Sequence, residues 1–355
     1  MWISLMSLFK YISAVPKAEL HVHLEGSIKP STLLRLAKQN DVDLPVETER
    51  GLLTWYSFTT FDHFIEVYIT ITRCLQTVED FELIVYEFGA EMARQNILYA
   101  EVTFSPSTHF ITNGIGQDVW FAGLTTGRQK ARKDFGVEIN WIFDIVRNDT
   151  SSEGRFDYTT SVAIEGKNDG VVALGLGGFE KGYPPDPFAP WFERARSAGL
   201  HSVPHAGEME GPESIWSAIL ELGAERIGHG VRSIEDMNLV SHLRKYQIPL
   251  EISPTSNICL GIYPDMSAHP IEQLHEAGIP IIINSDDPCL FNTTLTDELQ
   301  LLINPYRFSL ESIDKIILNG IHFSFLPKKT KTTMESIFRK EMLEIRNRSE
   351  LNFLI

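Results

Sequence analysis

Short apolar runs rich in β-branched residues recur along the chain, and stretches with helical periodicity separate most of them. Eight such runs occur, at residues 19–23, 97–104, 139–145, 171–176, 201–205, 225–229, 249–253 and 279–284. The helical patterns between the later runs include Pro187–Ala198, Pro212–Leu222, Ile234–Tyr246 and Pro270–Ala277. Strands that alternate with helices predict a parallel α/β fold, either a (β/α)8 barrel or a doubly wound sheet.

Polar residues at the ends of these runs favour the barrel. They are His21, His23, Ser105, Asp144, His205, His229, Ser253 and Asp286. A closed barrel brings the carboxyl ends of its strands together at one mouth, whereas an open sheet spreads them along an edge. We therefore expect a TIM-type barrel that forms one domain over 1–355, with an N-terminal extension at 1–15. Helical insertions at about 30–93 and 295–350 would pack around it, and 328–355 is the C-terminal helical segment.

Composition narrows the functional class. The chain has 355 residues, of which 43% are hydrophobic, and a formal net charge of -16. Such an acidic chain lacks the basic patches that bind phosphate backbones, so a nucleic-acid partner is not expected. No run is long enough to span a membrane. The apolar N-terminus lacks the basic start of a signal peptide, and Lys10 interrupts it. These features indicate a cytoplasmic protein, with no expectation about its oligomeric state.

The three cysteines, Cys74, Cys259 and Cys289, lie far apart without the spacing of a disulfide framework or a CxxC site. Their number and spacing point to a reducing compartment. Each is expected to be a small, buried apolar side chain rather than a nucleophile or ligand.

His21 and His23 are separated by one residue in the first apolar run. In an extended strand, residues i and i+2 share a face, so the two imidazoles would point to the same place. This arrangement suits two metal ligands, although two histidines on an ordinary polar strand face would give the same pattern.

Three later segments could complete a metal site. His205 ends the fifth run and Glu208 follows it; taken alone, Glu208 could instead support the start of the next helix. His229 lies between two glycines and is a further ligand, a group that orients water, or a core histidine. Asp286 and Asp287 end the eighth run. Their carboxylates would repel each other, and a cation bound to one of them would relieve this repulsion and leave the other free to contact a substrate. Alternatively, the pair caps a helix.

Together these residues predict a mononuclear site with nitrogen and oxygen ligands, which suit Zn²⁺. Such an ion lowers the pKa of a bound water toward neutrality, so the site would serve a hydrolytic reaction.

Five motifs carry a family resemblance, and they are KAELHVHLEGS (17–27), HAGE (205–208), RIGHGV (226–231), SPTSN (253–257) and NSDDP (284–288). In this set and order the chain resembles the adenosine deaminase family of metal-dependent amidohydrolase barrels, from Pro16 to about Pro327. The resemblance implies one zinc ion per chain, and its implied ligands are His21, His23, His205 and Asp286. It also implies that Glu208 protonates the purine N1, while His229 and Asp286 orient the hydroxide that attacks C6.

The same resemblance implies a small-molecule purine substrate that loses ammonia and becomes a 6-oxo purine. Asp287 would contact N7, and the backbone of Gly178 would contact N3. Two positions depart from adenosine deaminases. Glu25 occupies a position near the ribose 5′ end where those enzymes usually have Asp. Phe179 occupies the middle position of a segment that usually reads Gly-Asp-Glu in them. Both departures leave the sugar side open, so adenosine, a 5′-modified adenosine such as aminodeoxyfutalosine, and adenine are all candidate substrates.

Other functional classes fit less well. The His-x-Glu and Pro-Cys-x-x-Cys signature of cytidine and nucleic-acid deaminases is absent from the sequence. A dinuclear phosphotriesterase-like site would need a bridging lysine at the end of the fourth strand, but Lys181 lies beyond that end. A non-catalytic barrel predicts damaged ligands, and none is damaged. The aromatic segment Trp55–Phe58, with Phe61 and Phe64, is either a lid over the mouth or the buried face of a helix.

Overall fold

Eight parallel strands form a nearly closed barrel in the computed structural model, which describes residues 5–58, 60–149 and 154–348. The strands pair in chain order and are β1 (Lys17–His23), β2 (Ile97–Phe104), β3 (Glu138–Val146), β4 (Val171–Gly177), β5 (His201–Ala206), β6 (Ile227–His229), β7 (Leu250–Ile252) and β8 (Ile281–Ile283). The predicted barrel is therefore confirmed. Strands buried on both faces are rich in apolar residues, which explains why all eight were visible in the sequence.

The first and last strands meet at a seam. Asn284 Oδ1 accepts hydrogen bonds from the backbone N–H groups of Leu20 (2.8 Å) and His21 (3.0 Å). Beyond it, His23 N donates to Asp286 O (2.8 Å), and Asp286 N donates to His21 O (3.2 Å). These contacts hold the carboxyl ends of β1 and β8 side by side.

Helices surround the barrel. They are α1 (Leu5–Ala14), α2 (Pro30–Gln39), α3 (Glu49–Trp55), α4 (Phe61–Arg73), α5 (Val78–Arg94), α6 (Gln117–Phe135), α7 (Gly154–Glu165), α8 (Ala189–Ser197), α9 (Pro212–Leu220), α10 (Met237–Tyr246), α11 (Pro254–Cys259), α12 (Ile271–Glu276), α13 (Leu295–Leu301), α14 (Leu310–His322) and α15 (Lys328–Arg348). The four predicted helices correspond to α8, α9, α10 and α12, each shorter than its sequence pattern. The two predicted insertions contain α2–α5 and α13–α15.

Helix α4 lies over the mouth of the barrel. Thr60 caps its N-terminus, with Oγ1 accepting a hydrogen bond from His63 N (3.2 Å). One stripe of the helix lines a cavity at the mouth, and its members are Phe61, Phe64, Ile65, Tyr68 and Ile69. Phe58 packs on Phe64 and on Phe291. Part of the aromatic segment therefore forms a wall of the cavity.

The N-terminal extension packs on the C-terminal part of the chain. Helix α1 contacts α13 and α15, and Tyr11 Oη donates to Asp314 Oδ1 (2.7 Å). Within the described ranges, no helix combines the length and apolar character needed to cross a bilayer. The expectation of three buried cysteines holds only for Cys74. Cys289 is half-buried and Cys259 is exposed, because it ends the short helix α11 at the surface.

Candidate active site

The carboxyl ends of the strands open into a cavity of about 310 Å³. Its lining includes predicted site residues from five parts of the chain, and these are His23, Gly178, His205, Glu208, His229, Asp286 and Asp287. Ser105 and Asp144, at the ends of β2 and β3, line the same cavity. The convergence that the sequence pattern predicts is therefore present.

Imidazoles and carboxylates cluster at the inner end of this cavity. His21, His205, His229 and Asp286 place their potential ligand atoms within 4.8 Å of one another, and His23, Asp286 and Asp287 form a second such group. Asp286 belongs to both groups. Its Oδ1 lies 3.4 Å from His21 Nε2 and 3.4 Å from His23 Nε2. The cluster is able to bind a metal ion.

The chemistry of the donors fits a cation here. His21 Nε2 is buried and has no hydrogen-bond partner among the described residues. Its Nδ1 lies 2.8 Å from Glu251 Oε2, and a proton on Nδ1 would leave the lone pair of Nε2 directed at Asp286. A carboxylate that fixes the tautomer of a histidine ligand is a common feature of metal sites.

Glu251 belongs to a buried charged network across the barrel interior. Arg226 donates through Nε to Glu251 Oε1 (2.5 Å) and through Nη2 to Glu101 Oε2 (2.5 Å). Burial acts to raise the pKa of Glu251, but the charge of Arg226 and the contact with His21 hold that pKa below its usual value. The carboxylate is thus charged where His21 needs an acceptor.

The backbone at the site is strained. His229 has φ 61° and Asp286 has φ 63°. A positive φ is uncommon outside glycine, and such conformations cost on the order of 1–3 kcal/mol each and cluster at functional sites. The surrounding contacts hold both residues in place, including the seam between β1 and β8.

The adjacent carboxylates Asp286 and Asp287 differ in ionisation. Burial acts to raise the pKa of Asp286, but His21, His229 and His23 hold it well below its usual range. Ser256 Oγ also donates to Asp286 Oδ2 (2.7 Å). Burial and the charge of Asp286 raise the pKa of Asp287 well above its usual range. One carboxylate is therefore charged, and the protonated form of the other is favoured.

Asp287 packs against the turn that follows β1. A Cβ on Gly26 would come within 2.6 Å of Asp287 Cβ, so only glycine allows this approach.

Glu208 and His229 face Asp286 at the same end of the cavity. His229 Nε2 lies 3.7 Å from Glu208 Oε1 and 3.8 Å from Asp286 Oδ2. Burial, followed by the charges of Asp286 and Glu180, raises the pKa of Glu208 well above its usual range. Burial lowers the pKa of His229 to about 4. The site therefore pairs a carboxyl whose protonated form is favoured with a neutral imidazole.

A chain of hydrogen bonds determines which nitrogen of His229 carries the proton. Ile271 N donates to His269 Nδ1 (3.3 Å), so the proton of His269 is on Nε2, which lies 3.1 Å from Asn257 Oδ1. The Asn257 amide nitrogen then donates to His229 Nδ1 (3.3 Å). The proton of His229 therefore lies on Nε2, the atom that faces Glu208 and Asp286.

Glu180 organises the loop that carries Glu208. Its Oε1 accepts from Gly207 N (2.6 Å) and from Ser214 Oγ (2.6 Å). Its Oε2 accepts from the backbone N–H groups of the next three residues, Glu208 (3.1 Å), Met209 (2.7 Å) and Glu210 (3.0 Å). Burial acts against the charged form, but the Arg147 charge and these hydrogen bonds hold the pKa of Glu180 below its usual value.

The other two predicted substrate contacts occupy different positions. Gly178 lines the cavity with φ 85°, a conformation that glycine adopts readily, and Asn148 Oδ1 accepts from the next residue, Phe179 N (3.0 Å). Glu25 is fully buried and is not among the described lining residues. Its carboxylate lies 2.7 Å from His109 Nε2 and accepts a hydrogen bond from Tyr68 Oη (3.0 Å), and Tyr68 does line the cavity. The substrate contact of Glu25 stays a prediction.

Sequence reasoning missed the residues that hold the site in place. Glu101 and Glu251 are charged residues inside strands, and Arg226 directly precedes one. A charge inside an apolar run needs a buried partner, so these positions carried a usable signal. Asn257 lies in one of the quoted motifs, but nothing in the sequence shows that its partners are His229 and His269.

Comparisons with known proteins identify the relatives of this chain. The sequence profile described as adenosine deaminase matches residues 16–340. The chain is 39% identical over 322 residues to an aminodeoxyfutalosine deaminase of Streptomyces coelicolor, covering 90% of this chain and 82% of that protein. It is 36% identical over 317 residues to an adenine deaminase of Pseudomonas entomophila, covering 88% and 98% respectively.

The fold also matches a solved structure. The crystal structure of an adenine deaminase from Arthrobacter aurescens superposes with a TM-score of 0.87 at 30% identity, and the match covers 93% of this chain and 99% of that chain. The likeness therefore extends over nearly the whole of both chains.

Proposed function

Because the chain belongs to the adenosine deaminase family of hydrolytic deaminases, we propose that it acts at C6 of a 6-aminopurine nucleoside. In this reaction water replaces the 6-amino group, and the products are the 6-oxo purine and ammonia. One observation carries the proposal. The carboxyl of Glu208, whose protonated form is favoured, the neutral imidazole of His229 and the charged carboxylate of Asp286 face one another within the group of potential metal ligands.

Zinc is the proposed metal, because three imidazoles and one carboxylate are ligands that it prefers. The residues that would hold it are His21, His23, His205 and Asp286. The proton on His229 Nε2 makes that atom a donor rather than a ligand. When bound, zinc supplies a Lewis acid and a water activated for attack.

The side chains then divide the proton transfers between them. Protonated Glu208 donates to the purine N1, which makes C6 electrophilic. His229 donates through Nε2, and with Asp286 it orients the attacking water. Asp287, whose protonated form is favoured, donates to N7. Charged Asp286 accepts a proton from the attacking water and delivers a proton to the amino group, which leaves as ammonia, and the second proton of that water restores the proton that Glu208 gave to N1.

The substrate beyond the purine ring is proposed from the cavity. The lining continues past the catalytic groups along α4 to Thr108 and Thr112. This space suits a nucleoside with a 5′ modification, as in aminodeoxyfutalosine. Adenine alone is the second candidate, favoured by the likeness to adenine deaminases.

A substrate panel tests the proposal. The purified protein with zinc is assayed on adenosine, deoxyadenosine, adenine, AMP and aminodeoxyfutalosine, following the absorbance change on deamination. We expect the highest kcat/KM on a 5′-modified adenosine. A preference for adenine over every nucleoside would favour the second candidate, and no turnover on any of the five would contradict the proposed reaction.

A further inference from the structure

We propose that Arg155 binds an anionic group at the far end of the substrate's 5′ substituent. This inference rests on the proposed function and adds a specificity-determining residue to it. Arg155 lies on α7 and lines the cavity together with Thr112. They belong to the segments that follow β2 and β3, whereas the proposed metal ligands lie on β1 and β5 and directly after β8.

Arg155 is exceptional in its charge. It is the single Arg or Lys among the described residues that line the cavity, whereas five acidic side chains line it, which are Asp144, Asp149, Glu208, Asp286 and Asp287. Among the described lining residues, Arg155 is the one that offers an entering anion a complementary positive charge, and a bound metal ion would be the other. The metal end is taken by the reacting part of the purine, so the anion belongs at Arg155.

The guanidinium keeps free donors. Nη1 is engaged by Asp149, with which Arg155 forms an ion pair, and it lies 3.5 Å from Thr112 Oγ1. In the described part of the chain, Nε and Nη2 of Arg155 form no hydrogen bond. The side chain is only 18% exposed. A planar fork with two adjacent free donors, held out of bulk water, can take a carboxylate or a phosphate in a bidentate fashion.

An apolar wall connects this group to the reacting end. The stripe of α4 runs along the cavity beside His23, and Asn113 Nδ2, just after the turn that contains Thr112, donates to Thr72 Oγ1 of α4 (3.2 Å). Phe179, where adenosine deaminases usually have a polar residue, packs its ring 5.4 Å from that of Phe61. The path from base to Arg155 therefore suits an apolar or aromatic linker that ends in a negative charge.

The experiment compares charged and neutral members of two substrate pairs. AMP is paired with adenosine, and aminodeoxyfutalosine, whose 5′ substituent ends in a carboxylate, is paired with its methyl ester. In Arg155→Met we expect kcat/KM to fall about 10- to 100-fold more for the charged member of a pair than for the neutral one, because hydrogen bonds to a charged group are lost. Arg155→Lys should recover part of this difference. The pair that shows the effect identifies phosphate or carboxylate as the natural group.

Arg194→Met is the matched control. Arg194 donates to Asp157 on the same helix α7 but does not line the cavity, so both pairs should keep their wild-type ratios. Zinc content and the unfolding midpoint of each variant are measured in parallel.

Equal losses for charged and neutral members in Arg155→Met would overturn the inference, as would a wild-type enzyme that shows no preference for either charged member. If wild type deaminates none of the four compounds, the proposed function fails and this inference fails with it. The two failures are distinct, because the first leaves the neutral substrates turning over.

Discussion

Replacing Glu180 with glutamine should weaken both the fold and the reaction. Glu180 accepts five hydrogen bonds, four from the backbone of residues 207–210 and one from Ser214. Glutamine has nearly the same shape but offers one acceptor oxygen and an NH₂ group. If the glutamine oxygen takes the position of Oε2, which accepts three hydrogen bonds, the NH₂ group takes the position of Oε1 and faces Gly207 N–H and the Ser214 hydroxyl.

The expected loss in the free energy of unfolding can be worked out from these hydrogen bonds. The hydroxyl of Ser214 can rotate to accept, but Gly207 N–H is left without a partner, at a cost of about 1–3 kcal/mol. The three remaining bonds lose their charged acceptor, at about 1 kcal/mol each. The sum is about 4 kcal/mol at the low end, and the buried charge of Arg147 also loses its counterion, which adds to the loss.

Activity should fall together with stability. Glu180 holds the backbone N–H of Glu208, the proposed acid, and a displacement of about 1 Å in a catalytic group can cost about 100-fold in rate. Urea denaturation followed by fluorescence measures the first effect, and kcat at saturating substrate measures the second. Zinc content should stay near wild type, since Glu180 contacts none of the proposed ligands.

Glu210→Gln is the matched control. Glu210 lies in the same loop, and its carboxylate accepts one exposed hydrogen bond, from Gly182 N (3.2 Å). Its replacement should change the free energy of unfolding by no more than about 0.5 kcal/mol. If Glu180→Gln unfolds at the same urea concentration as Glu210→Gln and turns over at the same rate, the reasoning about this loop is wrong.

Three further predictions follow from the site and its surroundings. Glu208→Gln should keep its zinc and its fold but lose about 10²- to 10⁴-fold in kcat, since the proton donor is removed; full activity would exclude that role. His21→Ala should lose metal before the fold is altered, and a zinc-replete variant in elemental analysis would contradict its assignment as a ligand. Burial raises the pKa of Glu298 from 4.5 to about 7, so its stabilising contribution is full below pH 4.5 and is lost as pH rises through 7. Relative to Glu298→Gln, wild type should lose about 3 kcal/mol of unfolding free energy between these pH values, and parallel pH profiles would refute this.

Sequence patterns predicted the parts of the structure that depend on residues close to one another in the chain. The eight strands were predictable because they are largely buried and therefore rich in apolar residues, although charged or imidazole side chains interrupt several of them. His21 and His23 were predictable as a pair because the period of a strand alone places them on one face. The family resemblance then supplied the proposed roles of the residues in the later motifs.

The supporting interactions were not predictable, because they join distant positions. Arg226 meets Glu101 from 125 residues away, and Glu180 reaches backbone groups on a loop that follows the next strand. The proton position on His229 depends on His269, which lies in the connection before the eighth strand. Such contacts are set by how the barrel closes, and no local period or motif spacing encodes them.

The seam between β1 and β8 has a consequence for the order in which the protein is made. His21 and His23 emerge from the ribosome early, whereas Asn284, which binds the backbone of His21, is 263 residues later in the chain. Nearly the entire barrel is therefore synthesised after His21 and His23 and before Asp286, which then joins them at the site. Capture of a metal by the proposed ligand set would thus depend on docking of the last strand, and opening of the seam would separate Asp286 from His21 and His23 even if every other strand stayed paired.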